Sequence, residues 1–525
     1  MNETKGTLKH AAVYSAAALL GRAVSFLMLP FYAHMLQAHG YGIISLLDVG
    51  LTLLATMGGY SSHLAIMRNY HEEKDPARKA KVISTGFYLV TGGALVLVLP
   101  FMILARPLAS LFLDGPASAH YIILSMLTFV AQMSGQAATT WLIINRRSVL
   151  YASINLFQLF IGLSLNIWLI VIRGMGLDGY FLSALVTATL VATVFIIIFL
   201  RDCGKGYDKE IAVRIRDFLL PLVPGNLVRF ASRQFEKVFI RFWIDVNSVG
   251  LLEMAYRFPV LISMLIVSPF MSSWDTRRFE IADQPDAPVV IGRMYTWYLY
   301  LLMLGGLILA VNIELVLRIL TPPEFHLAYR IARVEVVTLV LDGTSEHLMF
   351  GLLYAKHTSL ISRMRAVIAV GKILLAWFFI TTWGIYGAAF SAAVAALVNV
   401  IASFILGRRR YRLVLEWGKI TTIVGVSVAM FLVLTRWDIA HVPACLYVQQ
   451  HILGGLHDLM MGSFLAHWKE GKVPALLVEQ TAPIAELMIK VPLSASFALL
   501  LPFIHRETRL KMARFFSPAW LRPRR

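Results

Sequence analysis

The chain has few charged residues and almost no cysteine. Only 15% of its 525 residues are charged, while 58% are hydrophobic. So few polar side chains cannot cover the surface of a soluble chain of this length, and the mean hydropathy of +0.70 indicates a membrane protein. The two cysteines, Cys203 and Cys445, lie in different loops without metal-ligand spacing. We therefore expect neither a disulfide framework nor a metal site.

The sequence also lacks the motifs of nucleotide-driven enzymes. It contains no phosphate-binding P-loop, no glycine-rich strand-to-helix turn and no soluble domain between its apolar runs, which argues against an ATP-driven pump. We expect no enzyme activity and no cofactor. The net charge of +18 does not indicate a nucleic-acid partner, because the basic residues fall in short gaps between apolar runs, without interleaved aromatic residues.

Fourteen apolar runs of about 20 residues are each long enough to cross a bilayer. They are centred near residues 22, 54, 94, 131, 161, 189, 230, 261, 304, 342, 372, 396, 425 and 494. An even number of spans places both termini on one side, and the loops of that side carry most of the Lys and Arg residues. By the positive-inside rule that side is cytoplasmic. The sequence thus predicts an all-α, multi-pass protein of the inner (cytoplasmic) cell membrane, with cytoplasmic termini.

Short motifs recur along the chain with one spacing. Three pairs are separated by 208 residues: Gly176-Leu-Asp-Gly179 with Gly384-Ile-Tyr-Gly387, Ser183-Ala184 with Ser391-Ala392, and Gly42 with Gly250. This offset predicts two pseudo-symmetric six-helix lobes, residues 1–207 with spans 1–6 and residues 208–412 with spans 7–12. Residues 413–525 then hold spans 13 and 14 and a basic cytoplasmic tail. Duplicated halves are common in transporters, where the substrate path lies at the repeat interface.

One non-cytoplasmic segment, residues 436–482, is longer than the other loops. Apolar and polar residues are interleaved from Cys445 to Trp468, a pattern typical of an amphipathic helix at the membrane surface. We favour that interpretation over a metal-ligand cluster for the polar residues of the segment, which are His441, His451, His457, Asp458 and His467.

Span seven carries the highest concentration of charge within a span. At 100° per residue, five polar side chains share an arc of about 100° on this helix: Asn226, Arg229, Arg233, Glu236 and Lys237. Each ionised side chain near the bilayer centre costs about 2.5–3.5 kcal/mol, so this stripe is expected to face protein or a water-filled cavity. Three cations against one carboxylate leave positive charge, which favours an anionic ligand such as a diphosphate. A purely structural buried network is the alternative.

Several charged residues in other spans are further candidates. Arg22 lies in the middle of span one, and the 208-residue offset aligns it with the neighbour of Arg229, so both lobes place a cation at similar depth. A snorkelling or interhelical hydrogen-bonding role for Arg22 is the alternative. Asp48 in span two, with Asp342 and Glu346 in span ten, are candidates for coupling to H⁺ or Na⁺, or for pairing with nearby Arg or His. Glu253 and Arg257 are four residues apart, which favours a local ion pair rather than a role in transport.

A set of short motifs is spread along the chain. They are Gly21-Arg22, Pro30 and Tyr41-Gly42, then Asn166-Ile-Trp-Leu before Gly176, Pro221 and Pro224 at the start of span seven, and Gly384-Ile-Tyr-Gly387. This arrangement resembles that of the polysaccharide biosynthesis and export family, which belongs to the multidrug/oligosaccharidyl-lipid/polysaccharide flippase superfamily. Where that family often has an Asp-Arg pair in span seven, this chain has Glu236-Lys237.

The resemblance implies a fold and a substrate. The fold is two six-helix lobes, with two further helices here, around a central cavity that opens alternately to either side. The implied substrate is a glycan carried on a polyprenyl diphosphate, moved from the cytoplasmic to the outer leaflet. Membrane lipid is then a partner, as are the glycosyltransferases or the glycan polymerase of the same pathway. We expect the diphosphate to bind Arg22, Arg229, Arg233 and Lys237 while the prenyl tail stays in lipid.

Three other functions stay open from the sequence. A cation-coupled multidrug antiporter of the same superfamily would use a carboxylate-lined cavity, whereas the stripe of span seven is net positive. A membrane-embedded glycan ligase or polymerase would display catalytic groups on a large outer loop, for which residues 436–482 are the candidate. A scramblase or a structural partner of a glycan-synthesis complex would tolerate neutralisation of the charges in span seven.

Overall fold

The computed structural model of this chain describes residues 21, 28–58, 61–436 and 481–500. Those residues form helices and no strand. In chain order the α-helices are α1 Leu29–Gly58, α2 Ser62–Glu72, α3 Pro76–Ile103, α4 Ala105–Phe112, α5 Ala119–Ile144, α6 Ser148–Asn166, α7 Gly176–Cys203, α8 Lys209–Leu219, α9 Val223–Trp243, α10 Val246–Arg257, α11 Val260–Ile262, α12 Ser268–Ile281, α13 Ala287–Leu320, α14 Ala328–Leu348, α15 Phe350–Tyr354, α16 Thr358–Trp383, α17 Ile385–Arg408, α18 Trp417–Arg436 and α19 Thr481–Ala495.

The membrane spans agree with the sequence. Eleven stretches of the described residues are long and apolar enough to cross a bilayer, and each contains the centre of a predicted span. The other three predicted spans have separate explanations. Span one lies largely outside the described residues, and span fourteen is described only as far as residue 500. Span seven forms α9, whose 21 residues are enough to cross but include five charged side chains. The prediction of an all-α, multi-pass membrane protein is confirmed.

Helix α1 is interrupted at Gln37. This residue has a φ of 58° and a ψ of −177°, so the helical hydrogen-bond pattern is broken there. Positive φ is costly for a residue with a Cβ atom, and it typically marks a turn. The break at Gln37 therefore separates the end of predicted span one from the start of predicted span two.

Polar side chains inside the spans satisfy their own hydrogen bonds locally. On α5, the hydroxyl groups of Thr128, Ser134 and Thr140 each donate to the carbonyl oxygen four residues earlier, at 2.8, 2.8 and 2.9 Å. In a bilayer, where water is absent, such back-bonding removes the cost of an unpaired hydroxyl. These residues thus fit a spanning helix without marking a site.

The described residues form two compact units. The first contains the residues up to Glu253 together with Ile373–Ala388, and the second contains Met254–Lys372 and the residues from Ala389 onward. In the first unit, α5 packs against α3 and α7, and α9 packs against α1. In the second unit, α14, α18 and α19 pack against α13. These units group residues by contact and do not test the repeat boundaries at 207 and 412, which stay predictions.

A glycine crossing in the first unit joins α1 to the start of α10. A Cβ atom on Gly42 would lie 2.0 Å from the carbonyl oxygen of Val246, and one on Gly250 would lie 1.9 Å from the carbonyl oxygen of Ala38. Gly42 and Gly250 are separated by 208 residues, and so are Ala38 and Val246. Gly42 contacts Val246, and Gly250 contacts Ala38, which is the residue equivalent to Val246 in the other repeat. Such reciprocal contacts are expected around a two-fold axis. The offset found in the sequence therefore relates residues that meet in space.

Candidate functional site

The charged stripe lies on α9, which is preceded by a short 3₁₀ turn, Leu220–Leu222. Pro224 is in the first turn of α9, where a missing backbone N–H costs nothing because that group has no partner inside the helix. From there the helix runs uninterrupted to Trp243. The predicted site residues Asn226, Arg229, Arg233, Glu236 and Lys237 are therefore brought onto one continuous helix, but their environments differ.

Lys237 is neutralised within the first unit. Its Nζ lies 2.9 Å from Oε2 of Glu253 on α10, and the Ser45 hydroxyl donates to that same oxygen at 3.1 Å. Only 8% of Lys237 is exposed. A buried ammonium requires such a carboxylate partner. Glu236, the neighbouring acid on α9, is 3% exposed and also interacts with other groups of the chain.

Arg241 extends the stripe by one turn and anchors the end of α9. Its Nε donates to the carbonyl oxygen of Phe112 at 2.7 Å, and its Nη2 lies 3.0 Å from Oδ1 of Asp114. The other carboxylate oxygen of Asp114 is 3.0 Å from Nε2 of His39. Asp114, in the turn after α4, therefore joins α9 to the part of α1 that follows the break at Gln37. Arg241 has a structural role here.

At the opposite end of α9, Asn226 binds the start of α2. Its Nδ2 donates to the Ser61 hydroxyl at 3.2 Å. The helix that leads into α9 is fixed at the same end by an ion network. The Glu73 carboxylate accepts from Arg214 of α8 at 2.6 Å, which raises the pKa of that guanidinium above its usual value. Arg78 lies 3.2 Å from Glu210 at the start of α8. Both ion pairs fix the position of α8, and so of the start of α9, relative to the end of α2 and the start of α3.

Arg229 and Arg233 differ from the other cations of the stripe. Both are exposed, and neither guanidinium has a hydrogen bond or an ion pair with the part of the chain that the structure describes. They are four residues apart, so they project from one face of α9 with Cβ atoms about 5–6 Å apart. Two like charges at this spacing repel each other, and nothing in the described region compensates them. Of the predicted cations that the structure describes, these two are available to an anionic ligand.

The remaining predicted residues lie elsewhere. Arg22 is outside the described residues, as are His441, His451, His457, Asp458 and His467. Asp48 is exposed on α1 in the first unit and is engaged in an interaction within the chain. Asp342 and Glu346 are exposed on α14 in the second unit, where Glu346 interacts electrostatically with Arg365 and Arg278. Their proposed roles in ion coupling stay predictions. Within the described residues, no three His, Cys, Asp or Glu side chains form a group that could hold a metal ion.

Three residues that shape the site are not among the predicted site residues. The sequence places Glu253 in a local pair with Arg257, a pair that stays a prediction, and its spacing does not reveal the contact with Lys237. Ser45 and Glu253 are separated by 208 residues, so the repeat offset contains a signal for their contact. Arg241 follows Lys237 by one helical turn and could have been found by extending the stripe.

Comparisons with known proteins give a family and a fold. The family model for "Polysaccharide biosynthesis protein" matches residues 7–274. Among solved structures, "Lipid II flippase MurJ, inward closed conformation" is similar with a TM-score of 0.68 and 12% identity, over 94% of this chain and 99% of that one. A multidrug resistance MATE family transporter of the MOP superfamily, in an inward-facing conformation, is similar with a TM-score of 0.50 and 18% identity, over 76% of this chain and 96% of that one. No protein with a curated description matches the chain.

Proposed function

The chain belongs to the family of polysaccharide biosynthesis proteins, and on that premise we propose that it moves a polyprenyl-diphosphate-linked oligosaccharide or polysaccharide precursor across the cytoplasmic membrane. The family and the similar solved structures indicate a membrane flippase of the MOP type. The substrate, its direction and the membrane are our proposal. In this proposal both termini lie in the cytoplasm, as the positive-inside rule predicts, and a glycosyltransferase or polymerase of the same pathway meets the protein on that side.

The observation that carries the proposal is the pair Arg229 and Arg233. Two exposed guanidinium groups, one helical turn apart and without partners in the described region, lie on a helix of membrane-spanning length. Arg binds phosphate oxygens through paired N–H donors, and it stays charged in any environment. A diphosphate carries two adjacent phosphate groups, so each arginine can take one. A neutral sugar or an organic cation would leave these charges without compensation.

The other predicted residues complete the site in this proposal. Arg22 of the first lobe supplies a third cation, while Asn226 and Glu236 border the arginine pair on α9. Lys237 is held by Glu253 when the glycine crossing is closed. It becomes available to the diphosphate when α10 moves away from α1, so the charge of the site follows the conformation of the protein.

Alternating access requires the two repeats to rock about the ligand. The crossing of Gly42 and Gly250 leaves no space for a side chain between the two helices, and in our proposal it closes one end of the substrate path. We propose that its opening releases the glycan carrier on the other side of the membrane. Asp48, Asp342 and Glu346 are the candidate residues for coupling this motion to H⁺ or Na⁺.

Ligand binding tests the arginine pair directly. The full-length protein in detergent micelles is titrated with a short polyprenyl diphosphate disaccharide, with the monophosphate, and with the neutral prenol. We expect Arg229→Ala and Arg233→Ala each to weaken diphosphate binding roughly ten- to hundredfold, since a hydrogen bond to a charged group contributes about 1.5–3 kcal/mol. Val228, on another face of α9, provides the matched control Val228→Ala, which should bind normally. Unchanged affinity in both arginine variants would refute the proposed site.

A further inference from the structure

The connection between α17 and α18 is strongly basic. Within five residues it carries the four arginines Arg408, Arg409, Arg410 and Arg412, and all four are exposed. Helices α17 and α18 are consecutive candidate membrane spans, so this connection lies at the bilayer surface. The positive-inside rule predicts that this surface is the cytoplasmic one. The proposed diphosphate site does not use these arginines.

The basic connection is fixed to the second unit at both ends. At its start, a Cβ atom on Gly407 would lie 2.5 Å from the carbonyl oxygen at the end of α14, so the two segments are in close contact. At its end, the backbone N–H of Val414 donates to the carbonyl oxygen of Pro288 at 3.1 Å. Between them, the Tyr411 hydroxyl donates to the carbonyl oxygen of Ala282 at 2.9 Å. The backbone that carries the arginines is thus ordered before a ligand binds, which reduces the entropic cost of binding.

Acidic side chains do not neutralise this connection. Arg409, Arg410 and Arg412 have no ion pair or side-chain hydrogen bond with the part of the chain that the structure describes. Three acids of the neighbouring segments are engaged by other groups, in the pairs Glu416–Lys419, Glu280–Arg277 and Asp283–Tyr354. Three guanidinium groups therefore keep their charge and their N–H donors for an anionic ligand.

The equivalent turn of the first lobe is built differently. The offset of 208 residues aligns Arg409 with Arg201 and Arg410 with Asp202. The Asp202 carboxylate lies 3.0 Å from Nη1 of Arg147, so that turn contains an acid that neutralises a neighbouring cation. The second lobe has an arginine in place of this acid. Its run of arginines therefore goes beyond the basic character that the positive-inside rule requires of both loops.

Aromatic side chains place the arginines at the level of the lipid headgroups. Trp417, the first residue of α18, is exposed and packs edge-on against Phe404 of α17, with ring centroids 5.7 Å apart. The Arg408 guanidinium carbon lies 5.8 Å from the centroid of the same Phe404 ring. Tryptophan is enriched where membrane helices cross the headgroup region. Because Arg408 and Trp417 share one aromatic contact, the arginines lie at headgroup depth.

An apolar row leads along α17 towards the arginines. Leu397, Ile401 and Ile405 are exposed and follow each other at intervals of four residues, and Arg409 continues the same spacing just beyond the helix. Residues four apart lie on one face of a helix. A ligand with a phosphate group and an acyl chain thus finds both of its parts matched here. Inorganic phosphate would use only the arginines.

We propose that the connection Arg408–Arg412 binds the headgroup of an anionic phospholipid of the cytoplasmic leaflet, with one acyl chain along the apolar row of α17. Arginine binds phosphate oxygens through paired N–H donors. A cluster of basic residues directly beside a membrane span is attracted to an anionic membrane surface. A zwitterionic phospholipid has no net charge to compensate the three guanidinium groups. This inference goes beyond the proposed function and stands whether or not the protein moves a glycan carrier.

The test measures lipid contact at the site itself. In a chain whose two native cysteines are replaced by serine, Val414→Cys carries a small fluorophore at an exposed position two residues from Arg412. The full-length protein is placed in phosphatidylcholine vesicles with added brominated phosphatidylglycerol or brominated phosphatidylcholine, which quench the fluorophore on contact. One basic residue at an anionic surface contributes about fivefold to binding. We expect phosphatidylglycerol to reach half-maximal quenching at a roughly tenfold lower lipid fraction, and this preference to weaken as the ionic strength rises.

Substitution of the arginines separates a lipid site from general charge attraction. The triple variant Arg409→Gln/Arg410→Gln/Arg412→Gln should fold, because these side chains have no ion pairs to lose, and should no longer prefer phosphatidylglycerol. Lysine at the same three positions keeps the charge and should keep most of the preference. The matched control removes three exposed cations of the first lobe and should behave like the native chain; it is Arg146→Gln/Arg201→Gln/Lys205→Gln.

Three results would overturn the inference. Equal loss of the preference in both glutamine variants would show that net charge, and not this site, attracts the lipid. Equal quenching of the native chain by the two brominated lipids would show that no anionic lipid is selected. Displacement of phosphatidylglycerol by inorganic phosphate at constant ionic strength would assign the arginines to a soluble anion instead of a lipid.

Discussion

Adding one methyl group at the glycine crossing should open it. In Gly42→Ala the new Cβ would lie 2.0 Å from the carbonyl oxygen of Val246, whereas an ordinary C···O contact is roughly 3.3 Å. The two helices would have to separate by about 1.3 Å. Such overpacking costs about 1–3 kcal/mol, and the higher helix propensity of Ala recovers only about 0.5–1 kcal/mol. We expect the equilibrium to shift towards the open state by about tenfold.

The assay measures how often the crossing opens. Ser45 is 2% exposed and lies at the crossing, where it binds Glu253. In a chain whose two native cysteines are replaced by serine, Ser45→Cys should react with a water-soluble thiol reagent only when the crossing is open. We expect about tenfold faster labelling in the Gly42→Ala background, in line with the shift in population.

The matched control is on the same helix. Gly50→Ala adds a Cβ that contacts nothing within 4 Å beyond the backbone of its own helix, so its labelling rate should stay at the native value. Gly250→Ala, whose Cβ would lie 1.9 Å from the Ala38 carbonyl oxygen, should behave like Gly42→Ala. Equal labelling rates in all three variants would show that the packing at this crossing does not control its opening.

Three further predictions concern the contacts around α9, and each is tested by substitution and thermal unfolding of the purified protein. Glu253→Gln leaves the Lys237 ammonium buried without its carboxylate and should destabilise the protein by roughly 3–5 kcal/mol. The double variant Glu253→Gln/Lys237→Met should recover most of this stability. Equal losses in the single and the double variant would contradict the ion-pair account. Arg241→Met and Asp114→Asn should each destabilise the end of α9. Because both changes break the same contact, the loss of stability in the double variant should be smaller than the sum of the two single losses. Fully additive losses would count against a contact between Arg241 and Asp114. Arg214→Met should cost only about 0.5–1 kcal/mol because the guanidinium is partly solvated, and Arg216→Met, whose pair with Asp217 is exposed, should cost less.

The spans could be predicted from the sequence because they depend on local composition. A run of about 20 apolar residues requires no knowledge of its neighbours, and each of the eleven apolar spans contains a predicted centre. Span seven is the informative exception. Its five charges lower its hydropathy, so it is one of the fourteen apolar runs of the sequence but not one of the eleven apolar stretches of the described residues. The charged side chains form one stripe because their spacing in the sequence matches the 3.6 residues per turn of an α-helix.

The partners of the charged residues could not be predicted in the same way. Helical periodicity shows which residues share a face, but Lys237 finds its carboxylate on another helix, at Glu253. A single sequence contains little information about such tertiary contacts. The repeat offset is a partial exception, because the same spacing of 208 residues relates Ser45 to Glu253 and Gly42 to Gly250, and these residues meet at the crossing.

The measurement that tests the central claim most directly is leaflet translocation. The full-length protein is reconstituted in liposomes with a short polyprenyl diphosphate disaccharide in one leaflet, and the disaccharide accessible in the other leaflet is followed over time. The account predicts translocation by the native chain and by Val228→Ala, and loss of translocation in the double variant Arg229→Ala/Arg233→Ala, which should remain inserted and folded. Native rates in the double variant, or no translocation by well-folded native protein, would contradict it.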